Sequence, residues 1–408
     1  MFRPDQLKDI DYTTPFSLTF EEVDIGGIDH GSAEILISYD EQGRPLLDLK
    51  ESFFRNMYVL KSKVQMKYKS NSEPATILIT KLIHKAEKEH TTVEARLARE
   101  PLVLVDSPIS RKFEAVLLAA PRFLSKSIPL VDRNGAKFEL ETSKTEEGAP
   151  CLIKSDLNLE ARNPIEPLQT LIYFLTFTKG SHCGVGNLFA YDESDLVAFR
   201  VLGFTRCDAG GRETNWFDLE IQNSLPEIFL LFSEASKNEL TKRALRQTIN
   251  FYRASNASRR VSVEMSIIAA HSALEAIVNF ILEHRAGWSK SMMSNRSISF
   301  SDKNRAAALH FGIESDLLSQ SPELKKFSKA ANNIDIFEII SRFRNKLVHQ
   351  DTKAPPTGIQ LHETWLIAQW LVEVLVFGVI GYRGCIIDRR IYNGWRGTTC
   401  QVPLSRSR

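Results

Sequence analysis

Between residue 14 and about residue 160 the chain alternates apolar with polar side chains in short runs, the period of a half-buried strand. Phe16–Phe20, Ala33–Tyr39, Ala75–Thr80 and Thr92–Leu97 are such runs, rich in β-formers. Asn134-Gly135 joins Ile128–Val131 to Phe138–Glu141 as a hairpin would, and DEQGR at 40–44 is a second turn signal. These runs predict an antiparallel β-rich region, a sandwich or an open barrel. At Asn163 the pattern changes. Asn163 suits the cap of a helix, Pro164 its first turn and Gly180 its end. Leu168 to Phe177 is apolar nearly all round and should be buried. Strand-like pieces at 187–191 and 196–202 follow, then a loop from Cys207 to Arg212.

From Ser224 onward the period becomes helical. Ser224-Leu-Pro-Glu227 reads as a capping box starting a helix that runs to about Tyr252. Arg259 to Glu283 reads as a second long helix, with Val263, Ile267, Leu274, Ile277, Val278 and Ile281 on one face. Arg285 to Phe300 reads as a serine-rich loop, Asp302–Phe311 as a short helix and Glu314–Lys329 as room for another. Asp335 is placed to cap a helix whose Ile336, Ile340, Phe343 and Leu347 form a core-facing stripe. Pro355-Pro356 ends that segment, and Trp365–Ile380 is strongly apolar. This last run is shorter than a membrane span requires and is interrupted by Gln369 and Glu373, which predicts a buried core helix and no membrane association. Residues 383–408 read as a basic, turn-rich tail, partly mobile, in which Arg389, Arg390, Arg396, Arg406 and Arg408 could line an RNA path. The fold class expected is therefore α+β, with a β-rich region over 1–220 and an all-α bundle over 221–408.

Composition narrows the function classes. A chain of 408 residues with 43% hydrophobic and 25% charged side chains is globular, and its net charge of +2 does not announce a nucleic-acid binder by itself. Cys151, Cys183, Cys207, Cys385 and Cys400 are scattered and odd in number, which argues against a zinc site or a disulfide framework and suits a cytoplasmic setting. The first residues carry no apolar signal segment. There is no phosphate-binding glycine loop and no H-E-x-x-H, and neither a metal nor another cofactor is expected. His182-Cys183 beside Gly184 lacks an evident acid partner and reads as a loop.

The chemistry converges on Arg344-Asn345-Lys346-Leu347-Val348-His349. Histidine titrates near neutrality and moves protons to or from a ribose hydroxyl. Arginine binds a phosphate through paired N–H groups and stabilises charge developing on it. Asn345 could orient the imidazole or bond the phosphate. Together they suffice for RNA cleavage without a metal, the 2′-hydroxyl attacking the adjacent phosphodiester. Asn345 and His349 share a helical face, whereas Arg344 lies about 140° from His349. The two meet only if the helix ends near His349 or a second copy supplies one of them. Arg342 competes with Arg344, since Arg342, Asn345 and His349 fall at i, i+3 and i+7. Glu275, on an otherwise apolar helix, is placed to hold the arginine.

These residues, with Ala273–Ile277 upstream, resemble the Apea-like group of HEPN domains over roughly 225–385. The resemblance implies a helical bundle, a homodimer that brings two motifs together, and ribonuclease activity in bacterial defence or toxin settings. It favours Arg344 over Arg342, since the polar residue directly follows the arginine. It also implies a preceding β-rich region that senses a trigger, phage-derived or protein. The alternative is a non-catalytic dimerisation or RNA-binding adaptor.

Overall fold

The structure, a computed structural model, describes residues 16–25, 28–29, 31–39, 45–49, 63–67, 75–85, 90–97, 102–123, 125–142, 151–202, 215–313, 317–349, 355–391 and 399–402. The turn expected at 40–44 and the loop expected from Cys207 to Arg212 lie outside these residues.

The α+β class holds. Strands β1 (Phe16–Phe20), β2 (Glu22–Ile25), β3 (Ile28–Asp29), β4 (Ala33–Tyr39), β5 (Pro45–Leu49), β6 (Lys63–Lys67), β7 (Ala75–Lys85) and β8 (His90–Leu97) form one sheet. Its order is β1-β4-β5-β8-β7-β6-β2-β3, and every pair in it is antiparallel. A second antiparallel sheet comprises β9 (Leu102–Val105), β10 (Lys112–Leu118), β11 (Ser127–Val131), β12 (Lys137–Thr142), β13 (Cys151–Ser155), β14 (Gly184–Tyr191) and β15 (Val197–Leu202). Its order is β11-β12-β13-β10-β14-β15-β9. The Asn134-Gly135 hairpin forms as expected, with Ile128 facing Leu140 and Leu130 facing Phe138. Its inward side chains are buried and its outward ones exposed, the two-residue period made physical.

Helix α1 (Gln169–Lys179) departs from its expected entry. Asn163 instead bonds Glu166, and a single tight turn at Glu166–Leu168 leads into the helix without a side-chain cap. Gly180 does end it, in the left-handed conformation at φ 79°. A β-carbon there would also lie 2.8 Å from Asn256 Nδ2, so both conformation and space require glycine.

The long helix expected from Ser224 to Tyr252 is two. Ser224 has helical backbone angles and makes no capping bond, so the helical path is already under way before α2 (Leu225–Ala235). The break falls at 236–238, where Asn238 accepts from the Thr241 amide and restarts the chain as α3 (Glu239–Ser258). The next helix, α4 (Val263–His284), starts four residues later than Arg259, because the Ser262 side chain accepts from the Met265 amide and fixes the cap. The expected loop after it contains a short α5 (Lys290–Ser294). Then come α6 (Phe300–His310), α7 (Pro322–Ala330), α8 (Ile336–His349) and α9 (Gly358–Ile380).

One hydrophobic core runs from the second sheet through the helices to Val402. Phe138 of β12 and Phe174 of α1 both pack on Phe229 of α2, with ring centroids 5.9 and 5.1 Å away. Phe177, Trp216 and Phe377 meet pairwise at 5.0–5.5 Å, joining α1 to α9. Helices α4 and α9 are each long and apolar enough to cross a membrane, and most of each is buried within the fold.

Inside this core lies a polar network. Glu373 of α9 is fully buried; it accepts a hydrogen bond from the Tyr252 hydroxyl at 2.5 Å and one from Arg389 Nη1 at 3.0 Å. The Arg389 guanidinium lies 4.7 Å from the Trp365 ring centroid, and that of Arg390 lies 3.7 Å from Trp370. Gln369 donates to Asn256 Oδ1 at 3.0 Å, and Asn256 donates to the Gly180 carbonyl at 2.8 Å. The basic tail is thus corrected over its described part. Strands β16 (Cys385–Ile387) and β17 (Thr399–Gln401) pair there, and Arg389 is buried at the centre of the core, out of reach of an RNA chain. Arg396, Arg406 and Arg408 lie outside the described residues.

Burial pushes the Glu373 carboxyl up to about 7, against the opposing pull of Arg389 and Tyr252. A carboxyl raised in the folded state binds its proton more tightly there than in the unfolded chain. Its contribution therefore falls as pH rises from about 4.5 to about 7. Glu373→Gln is expected to remove that slope from a plot of denaturation free energy against pH. Arg389→Met leaves the carboxylate buried without its cation and should lower stability by about 3–5 kcal/mol in urea denaturation.

Candidate functional site

Helix α8 begins as its sequence dictates. Asp335 Oδ1 accepts from the Glu338 amide at 3.0 Å, and Asp335 Oδ2 accepts from Arg305 Nε of α6 at 2.7 Å. Ile336, Ile340 and Phe343 are buried as expected, with Phe337 and Ile339 beside them. Leu347 is partly buried against the same core. This stripe fixes the rotation of the helix, so Arg342, Asn345, Val348 and His349 are exposed and Arg344 is half-buried.

The two competing arginines part here. Arg342 Nε donates to Glu338 Oε1 at 2.9 Å, one turn back on the same helix. Glu338 also accepts from the Ser301 hydroxyl at 2.8 Å, and the bonds from Arg342 and Ser301 hold its carboxyl below the usual range. Arg342 is therefore committed to a local ion pair. Arg344 donates only to its neighbour, Nη1 to Asn345 Oδ1 at 3.2 Å, and has no carboxylate within ion-pair distance among the described residues.

Glu275 of α4 does lie in the field of Arg344. Its carboxyl is held below the ordinary value, first by the neighbouring His271 imidazole and then by the charges of Arg344 and Lys303. His271 Nδ1 stands 3.7 Å from Glu275 Oε2. The His271 ring packs 4.4 Å from that of Phe300, and the residue is only 5% exposed. Lys303 of α6 is itself steadied by the Met293 carbonyl at 2.6 Å. Sequence reasoning missed His271. The available signal was its spacing, one turn before Glu275 on an apolar helix.

His349 is exposed and has no polar partner among the described residues. Helix α8 ends at His349, the first of the two conditions under which Arg344 and His349 could meet, while the backbone between them stays helical. Through Asn345 the Arg344 guanidinium is drawn toward the face that Asn345 shares with His349.

Among the described residues no group of three or more His, Cys, Asp or Glu side chains could hold a metal ion. Cys183 is buried in the core, its thiol 3.4 Å from the Ala119 carbonyl, and so is not displayed as a nucleophile. Two clefts lie away from α8. One of about 420 Å³ sits beside the α2–α3 break and is lined by Asn238, Phe280, His284 and Arg285. The other, of about 320 Å³, lies on the second sheet beside Lys112, Lys154 and Tyr191. Neither includes any of the expected site residues.

Comparison with known proteins corrects the family expectation. Residues 238–399 match the YopA C-terminal domain, and the Apea-like HEPN group is not what the helical region matches. What that resemblance implied about dimerisation and about the choice of arginine loses its support with it. The reasons for setting Arg344 apart from Arg342 are now the ion pair at Arg342 and the field of Glu275 at Arg344. No solved structure matches the chain. It is similar to the SPbeta prophage-derived uncharacterized protein YopA of Bacillus subtilis (strain 168), with 24% identity over 231 residues. That stretch is 55% of this chain and spans half the length of the relative.

Proposed function

We propose that this protein is a metal-independent endoribonuclease that acts through Arg344, Asn345 and His349. The observation that carries the reading is the contrast along α8. Arg342 is tied into an ion pair, whereas Arg344 keeps its charge available beside Asn345 and His349 is exposed without a polar partner among the described residues. Arg344 would bind the phosphodiester and stabilise the charge that builds on it. His349 would move the proton, and Asn345 would orient one or the other. The 2′-hydroxyl attacks phosphorus as the 5′-oxygen leaves, giving a 2′,3′-cyclic phosphate and a 5′-hydroxyl. Glu275, itself held by His271, keeps the arginine aimed.

Because Arg344 and His349 diverge along α8, the reading is met either at the helix end at His349 or in a homodimer in which two α8 helices face one phosphate. The same divergence favours a second reading, in which α8 binds RNA without cutting it. A relative encoded in a prophage supports a setting of conflict between phage and host. The β-rich region would then receive the trigger.

The full chain is expected to cut RNA in EDTA. His349→Ala or Arg344→Ala should abolish cutting while leaving the melting transition in place, and Arg342→Ala should retain it. End-mapping of the products checks the chemistry. Full activity in His349→Ala sinks the catalytic reading, and RNA retention without cutting in the unaltered chain favours the binding one. Glu275→Gln should reduce cutting through Arg344. A carboxyl lowered in the folded state contributes stability above its ordinary value of 4.5 and loses it as pH falls through the folded value. With the Glu275 side chain 45% exposed, that contribution should stay below about 1 kcal/mol in denaturation at neutral pH and vanish in acid.

A further inference from the structure

The larger of the two clefts lies between the α2–α3 break and the end of α4, and the β11–β12 hairpin reaches its edge where Arg133 pairs with Glu234. Its volume of about 420 Å³ falls within the range of small-molecule sites, about 300–1,000 Å³. Phe280 of α4 lies in its wall, almost wholly buried. The His284 ring stands 5.3 Å from that of Phe280, and the Arg285 guanidinium carbon lies 6.0 Å from the same centroid. Leu240 of α3 lines the cleft too and is exposed. Ring and apolar surface therefore share one opening with charged and polar groups.

The charges in and around the cleft leave one cation over. Arg285 is exposed and has no carboxylate within ion-pair distance among the described residues. The carboxylates around it are engaged. Glu234 Oε2 takes Arg133 Nε at 3.1 Å and Lys237 Nζ at 3.4 Å. Glu283 stands 3.8 Å from His284 Nε2, and Glu239 pairs with Lys242 at 3.3 Å. The second oxygen of Glu234, Oε1, accepts no hydrogen bond among the described residues. Asn238 Oδ1 accepts from the Thr241 amide at 3.0 Å and the Thr241 hydroxyl at 3.3 Å, which leaves its Nδ2 to donate. Asn238 and Leu240 also bring the positive end of α3, a helix of 20 residues, to the same opening.

We propose that this cleft binds a nucleoside monophosphate. Arg285 and the Asn238 amide answer the phosphoryl oxygens, for which a planar guanidinium is the best-matched partner. The flat base covers the ring and apolar wall of His284, Phe280 and Leu240, and Glu234 Oε1 accepts from one of the N–H groups that every base carries. Inorganic phosphate alone leaves that wall wet, and an uncharged nucleoside leaves Arg285 unanswered, so binding selects the whole molecule. This site is separate from the chemistry assigned to α8.

Each of the four ribonucleoside 5′-monophosphates is titrated into the full chain, with the His284 ring resonances as the readout. At least one should shift them saturably. Its parent nucleoside and inorganic phosphate should each bind roughly tenfold more weakly or worse, and Arg285→Gln should weaken its binding by a similar factor. Arg344→Ala should leave binding unchanged, which separates this site from the proposed cleavage site. Should Arg285→Gln unfold, Leu240→Asp decides. It alters an exposed residue in the first turn of α3, where an acidic side chain suits the helix, and its charge should expel the nucleotide from the cleft. The proposal is overturned if none of the four gives a saturable shift, or if binding is unchanged in either folded cleft variant. Equal binding of the nucleoside or of phosphate alone overturns it as well, as does loss of binding in Arg344→Ala.

Discussion

A carboxylate and a guanidinium, both withdrawn from water, sit at the crossing point of the helical half. Glu373 and Arg389 are each wholly buried, so neither tolerates loss of the other. Around them Tyr252, Asn256 and Gln369 connect α3 with α9, and Asn256 reaches on to the carbonyl of Gly180 at the end of α1. Apolar packing supplies the bulk of the cohesion, but it is non-directional. The hydrogen-bonded pair sets which residue faces which, because a shifted register would strand a charge in the core.

That constraint reaches the surface. Helix α4 packs on both α9 and α8, and α8 is further held by Arg305 at its cap and Phe327 on its flank. Rotation of α8 is thereby fixed, and with it the surroundings of each of its arginines. Arg342 turns toward Glu338, whereas Arg344 reaches Asn345. Two residues apart on one helix, they have opposite electrostatic fates.

Much of this was legible where local rules govern. The 127–142 hairpin follows from alternation plus Asn-Gly, and the cap of α8 follows from Asp335 before an apolar stripe. Other features depend on partners distant in sequence. Arg389 looks like one more cation in a basic tail, and nothing near it reveals that Glu373 waits inside a helix. The break between α2 and α3 falls in a polar stretch that a helix would tolerate, and only the Asn238 cap marks it. A lone histidine among apolar residues gave His271 no meaning until Glu275 and Phe300 were placed beside it. The family resemblance failed differently. An arginine and a histidine five apart form a short pattern, and short patterns recur without shared ancestry.

The position of α9 in the chain has a consequence for biosynthesis. Its partners α2, α3, α4, α7 and α8 all precede it, and the arginine that completes its polar core follows it. During synthesis those helices emerge with their apolar faces uncovered and stay so until α9 leaves the ribosome. The nascent chain therefore passes through a long interval in which chaperones can hold it. A chain cut short before residue 389 would lack the guanidinium that answers Glu373 in the core.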